Sequence, residues 1–205
     1  MKTDWFMCSM VAVTLLLVLT APTLGEEATF RTGIGIGIMA CPGYNSYLED
    51  ADTGHSSAAL VDLVVSSKLR IGGSWALVPA VEMLMTTESF TETIGFFTAS
   101  LSVRYSFTEE PSFYLQAGPN YVVSQGGDVV EEFKGGVGGV ASIGYAFKGR
   151  DRSRFGPELE VGYSYMSVDA ASPDGAGYQY SYSRGEGGTT TENFGGAFLR
   201  VGLRF

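Results

Sequence analysis

From residue 29 onward the chain alternates apolar and polar positions in eight separate stretches: Thr29–Ala40, Ala59–Ile71, Ser74–Thr86, Thr93–Phe107, Ser112–Ser124, Lys134–Phe147, Phe155–Ser167 and Asn193–Phe205. A period of two belongs to strands whose faces meet different surroundings. Each stretch is about twice as long as the roughly 5 to 6 residues of an ordinary globular strand. In the fourth, Phe97, Ala99, Leu101, Val103, Tyr105 and Phe107 fall on one face, and Thr98, Ser100, Ser102, Arg104 and Ser106 on the other. The seventh sets Leu159, Val161, Tyr163 and Tyr165 against Glu158, Glu160, Gly162 and Ser164. The pattern predicts an all-β protein, an eight-stranded antiparallel up-and-down barrel.

Alternation alone does not say which face points outward, because a soluble barrel buries the apolar set and a membrane barrel exposes it. Three features favour exposure. The connections alternate short and long: Gly72-Gly73, Thr108–Pro111 and Lys148–Arg154 are short, whereas Cys41–Ala58 and Val168–Glu192 are long. Short periplasmic turns opposite longer external loops are the outer-membrane arrangement. The apolar face also carries an aromatic at the short-turn end of seven stretches, namely Phe30, Trp75, Phe107, Phe113, Phe147, Phe155 and Phe205, with Ile71 in the eighth. A membrane interface explains such a ring; a soluble core does not. Finally, the polar face mixes charges of both signs with glycines such as Gly33, Gly35, Gly37, Gly144 and Gly162, as expected of a narrow lumen.

The ending Phe198-Leu-Arg-Val-Gly-Leu-Arg-Phe205, with a terminal aromatic and apolar residues at every second position before it, resembles the closing strand of outer-membrane proteins. From about Glu26 to Phe205 the chain resembles the small OmpA/OmpX-like barrels. That resemblance implies a transmembrane β-barrel in the cell outer membrane, recognised by the barrel-assembly machinery through its last strand, and it names a scaffold rather than an activity.

Ahead of the barrel, Lys2, an apolar run from Met10 to Leu19 and the small residues Thr23 and Gly25 predict a signal peptide of residues 1–25, cleaved after Gly25. The domain organisation expected is therefore this peptide followed by one barrel over residues 26–205. Cys8 leaves with the peptide, so Cys41 remains alone, without a disulfide framework or a multi-cysteine metal site. Beyond residue 25 no run is long and apolar enough for a spanning helix. The net charge of −9 and the sparse Lys and Arg argue against a nucleic-acid partner.

Strand parity sends Arg31, Asp62, Lys68, Arg70, Glu82, Arg104, Glu158, Glu160, Arg200 and Arg204 into the lumen. The seventh and eighth strands are neighbours, so Glu158 and Glu160 should lie beside Arg204 and Arg200, with Arg31 closing on the same arginine pair. Charges removed from water need partners, so an ion-pair ladder in the periplasmic half is expected. A selectivity element is the alternative. The long connections are acidic, with Glu49, Asp50, Asp52, Glu88, Glu92, Asp128, Glu131, Glu132, Asp169, Asp174, Glu186 and Glu192 against Lys134 and Arg184. Carboxylates there could bridge through divalent cations to lipopolysaccharide, although no spacing marks a dedicated calcium site.

Tyr178, Tyr180 and Tyr182 alternate within Gly, Ser and Thr in the last long connection, an adaptable recognition surface or a hairpin continued above the membrane. His55 and Ser57 resemble the His-x-Ser pair of outer-membrane lipid A deacylases, but that family carries the pair in a late strand, and a two-residue match discriminates weakly. No catalytic, cofactor-binding or metal-ligating residue is assigned. The expected role is structural or surface-interacting, adhesion-like, through external loops that meet outer-membrane lipid, lipopolysaccharide and a host or cell-surface ligand. The alternatives are a narrow cation-favouring pore and, more remotely, a lipid A-modifying enzyme.

Overall fold

The computed structural model describes residues 30–43, 59–86, 95–108, 111–125, 133–134, 136–149, 155–170 and 190–205. Ten strands occur among them: β1 (Phe30–Ala40), β2 (Leu60–Gly72), β3 (Trp75–Thr86), β4 (Gly95–Ser106), β5 (Ser112–Gln125), β6 (Phe133–Lys134), β7 (Gly136–Ala146), β8 (Gly156–Ala170), β9 (Thr190–Asn193) and β10 (Gly196–Arg204). They form eight staves. β9 and β10 share one register against β8, since Ser167 faces Asn193 and Ser164 faces Gly196, with the Phe194 amide donating to the Met166 carbonyl between them. β6 and β7 also share β8 as partner but differ in register by one residue, a shift that the alternation did not reveal.

Every pairing is antiparallel, and β10 returns to β1 to close the barrel. The terminal residue takes part in the closure. Phe205 and Thr32 exchange backbone hydrogen bonds of 2.9 and 3.1 Å, so the chain ends as a rung of the seam. Tracing one circuit of facing residues from Phe30 through Leu69, Leu77, Val103, Ala117, Ala141, Tyr163 and Ala197 arrives at Ala40. This ten-residue stagger tilts the strands and, with eight staves, sets an interior that side chains fill.

The predicted stretches agree with these strands to within a few residues. The differences lie at the long-connection ends, where β8 continues to Ala170 and pairs with β9 as far as Thr190. At the other end, β2 and β3 turn tightly: Gly72 faces Trp75, and Gly73 has φ +48°, a left-handed conformation that favours glycine.

The apolar face points outward. Ile34, Ile36 and Ile38 of β1, Leu101 and Val103 of β4, and Leu199, Val201 and Leu203 of β10 are each about half exposed. Water would penalise this surface heavily, whereas hydrocarbon matches it. The aromatics at the short-turn end meet in three clusters, each spanning a pair of neighbouring strands. Tyr105 lies 4.8 Å from Trp75 and 5.3 Å from Phe107, and Tyr145 lies 4.7 Å from both Phe113 and Phe147. Phe155 and Phe205 meet at 5.9 Å. Tyr105 and Tyr145, one row above the predicted ring, join its members in pairs.

Candidate functional site: the barrel lumen

The lumen has two storeys of different chemistry. Towards the long connections, the inward positions are Met39 and Cys41 from the end of β1, Leu60 and Leu84 from β2 and β3, Phe96, Val122 and Val140 from β4, β5 and β7, Met166 and Val168 from β8, and Phe194 and Phe198 at the last stave. All are buried, and the Phe96 and Phe194 rings meet at 5.6 Å. This storey is an apolar plug. Near the long connections, the face that is polar lower down becomes apolar. Cys41 is a buried, reduced thiol inside the plug.

Below the plug lies the charged storey. Arg200 of β10 pairs with Asp62 of β2 and, at 2.9 Å, with Glu82 of β3. Thr98 donates to the same Glu82 oxygen at 3.3 Å. Glu158 of β8 receives Arg204 at 2.7 Å and Arg104 at 3.0 Å on one oxygen. Arg104 is further held by Gln116, whose side-chain oxygen accepts from Nε at 2.9 Å, and by the Tyr114 ring, 3.8 Å from its guanidinium carbon. Arg204 also donates to the Phe147 carbonyl at 3.1 Å, and Tyr114 donates to Glu160 at 3.4 Å.

Seven of the ten lumen charges predicted by parity thus come together, and the Glu158–Arg204 rung forms. The rest of the expected ladder is corrected. Arg200 stands beside Glu160 in the backbone register but extends across the barrel to Asp62 and Glu82. Its guanidinium lies 4.0 Å over the Phe198 ring, which directs it away from its own rung. In the backbone register Gly33, not Arg31, faces Arg204; Arg31 lies two residues further towards the short-turn mouth, opposite Lys68 of β2.

Inward glycines allow these crossings. A Cβ at Gly37 would lie 2.7 Å from Arg200 Cγ, and one at Gly162 would lie 2.6 Å from the Phe198 ring. A Cβ at Gly144 would enter the Tyr114 ring. What reads in sequence as spare volume is occupied by long side chains from neighbouring strands. Among the described residues a cavity of about 40 Å³ is lined by Gly33, Ser66, Glu82, Arg104, Glu160 and Arg204 among others. It has room for a few waters, and one oxygen of Glu160 on its wall is buried without a protein hydrogen bond.

Among the described residues no group of three or more His, Cys, Asp or Glu is arranged to hold a metal ion. His55, Ser57, Tyr178, Tyr180, Tyr182 and most of the acidic loop positions lie outside the described residues.

An apolar exterior, a closed eight-stave barrel and an aromatic band at the short-turn end now stand together. The fold is that of the small outer-membrane β-barrels. Neisserial surface protein A (NspA) superposes with a TM-score of 0.54 at 16% identity, over 87% of this chain and 98% of that one. The outer membrane protein OprG from Pseudomonas aeruginosa gives 0.55 at 12% identity, over 86% and 95%. The outer membrane protein AlkL, determined by solid-state NMR in DMPC lipid bilayers, gives 0.50 at 10% identity, over 87% and 90%. No family model and no curated protein matches the sequence. These likenesses show the fold: a closed, eight-stave antiparallel barrel with an apolar exterior, as in those small outer-membrane proteins.

Proposed function

We propose that this barrel is a non-enzymatic anchor whose external connections act by binding, in an adhesion-like role towards a host or neighbouring cell surface. The observation that carries the reading is the sheet that continues above the apolar plug. β6 and β9 flank the last residues of β8, with Phe133 facing Ala170 and Val168 facing Glu192. On its other side β9 has no strand among the described residues, because β1 ends at Ala40 and the chain bends into a helical turn at Pro42–Gly43. Phe194 bonds to β8 through its amide, so by the alternation of an antiparallel ladder Thr191 and Asn193 direct their backbone groups away from β8. An open edge offers an extended peptide a row of donors and acceptors.

In this reading the acidic connections also hold divalent cations against lipopolysaccharide, and the closing strand ending at Phe205 serves the barrel-assembly machinery. Packing of the upper lumen favours binding over conduction, the second reading. The test is attachment of cells displaying the protein to epithelial monolayers. Replacing residues 171–189 by a short Gly-Ser turn should lower attachment to that of cells without the protein, while heat-dependent gel mobility stays that of a folded barrel. Undiminished attachment would refute the role of this connection.

A further inference from the structure

Two prolines interrupt the barrel wall in a single row. The Ser106 amide donates to the Ser74 carbonyl and the Phe107 amide to the Phe113 carbonyl, so even-numbered residues of β4 bond to β3 and odd-numbered ones to β5. By the same alternation the odd residues of β3 are turned to β2 and those of β5 to β4. Pro79 of β3 therefore lacks the amide that would meet the Ser67 carbonyl, and Pro119 of β5 lacks the one that would meet Leu101. The ladders break at these places. Between β2 and β3 the break lies between the Ser66/Ala80 and Leu69/Leu77 pairs, and between β4 and β5 it lies between the Ser100/Asn120 and Val103/Ala117 pairs. In the middle, β3 and β4 pair without interruption from Trp75 opposite Tyr105 to Met85 opposite Gly95, and Pro79 faces Leu101 across them. Among the described residues the five other seams of the barrel are continuous.

Inward side chains at the breaks add little. Val78 of β3 offers no polar group, Gly118 of β5 has no side chain, and the Ser102 hydroxyl of β4 is buried without a hydrogen-bond partner. The 40 Å³ cavity lies against the first break, since Val64 and Ser66 of β2 and Val78 and Ala80 of β3 line it. What holds β3 and β4 from inside reaches in from distant strands. Glu82 of β3 pairs at 2.9 Å with Arg200 of β10, and Arg104 of β4 pairs at 3.0 Å with Glu158 of β8, each three staves away. Arg104 also holds Gln116 of β5 at 2.9 Å, to one side of the second break. We propose that β3 and β4 form a latched leaf of the barrel wall. Its seams with β2 and β5 part more readily than any other, the two ion pairs hold it shut, and its opening admits water to the cavity of the charged storey.

Hydrogen exchange of the full chain refolded into micelles, followed by NMR, reads the leaf amide by amide. Those beside the breaks are Val65, Leu69, Leu77 and Val81 in the first seam and Ala99, Val103, Ala117 and Tyr121 in the second. The references are Val78, Ala80, Ser100 and Ser102 inside the leaf, with Ala141 and Tyr163 between β7 and β8. Amides beside the breaks should exchange about tenfold faster than the references. Pro79→Ala, which restores a donor to Ser67, should slow the first set to the reference rate and leave the second set fast. Glu82→Gln combined with Arg104→Gln should speed both sets by about a further tenfold and leave the references unchanged. The rest of the charged storey stays paired in that variant, because Arg200 keeps Asp62 and Glu158 keeps Arg204. If the double variant does not fold, the parent and Pro79→Ala decide. Equal exchange at all these amides in the parent overturns the proposal, as do unaltered rates in Pro79→Ala. Faster exchange at the references as well, in the double variant, overturns the latch, because the ion pairs would then stabilise the whole barrel alike.

Discussion

Arg200 shows how one side chain couples distant parts of the barrel. It leaves its own strand, lies against Phe198 and neutralises two carboxylates, Asp62 and Glu82, that are themselves buried. Removing one member of a buried charged set leaves the others uncompensated, which costs more than replacing the whole set by apolar groups. Arg200→Met should therefore destabilise the barrel by about 3 kcal/mol or more, and adding Asp62→Leu and Glu82→Met should recover most of that loss. Urea unfolding in lipid vesicles, followed by gel mobility, measures both. A single variant as stable as the parent would mean that Arg200 is dispensable to the network. Gly37 belongs to the same argument, because its missing Cβ is what admits the arginine stem.

Among the elements, β8 does the most varied work. Its lower part supplies Glu158 and Glu160 to the charged storey, its middle carries Gly162 beneath Phe198, and its last residues leave the barrel to pair with β6 and β9. The open edge of β9 makes a prediction at this scale. Amides of Glu192 and Phe194, directed at β8, should exchange with deuterium slowly, whereas those of Thr191 and Asn193 should exchange quickly. Hydrogen exchange followed by NMR in micelles reads each amide. Equal protection of all four would mean that another segment of the chain already covers the edge, and it would remove the observation on which the binding reading rests.

The described residues form layers along the barrel axis: an aromatic band around a charged lumen, an apolar plug inside an apolar belt, and a sheet extension above it. The apolar plug makes a prediction about conduction. The protein refolded into a planar bilayer should be electrically silent, and Phe96→Ala with Phe198→Ala should begin to leak ions, because removing the two rings leaves a cavity that the surrounding strands fill only partly. Discrete steps from the parent protein would instead favour the narrow pore. The eight staves, the outward face and the aromatic ring were all legible in the alternation, since in a strand parity fixes the side of every residue once one is known. The plug had a signal too: Met39, Leu60, Leu84, Phe96, Met166 and Phe194 are apolar at inward parity, all near the long connections.

The sequence by itself determined which residues face outward and which face the lumen, and how many staves there are, because these follow from local periodicity. Only the tertiary structure decided who meets whom. Arg200 chooses Asp62 and Glu82 over the adjacent Glu160, Tyr114 lies over Gly144, and Phe198 lies over Gly162. Those choices depend on the ten-residue stagger, which brings residues far apart in the chain to the same height, and on which glycines leave room for a side chain to cross.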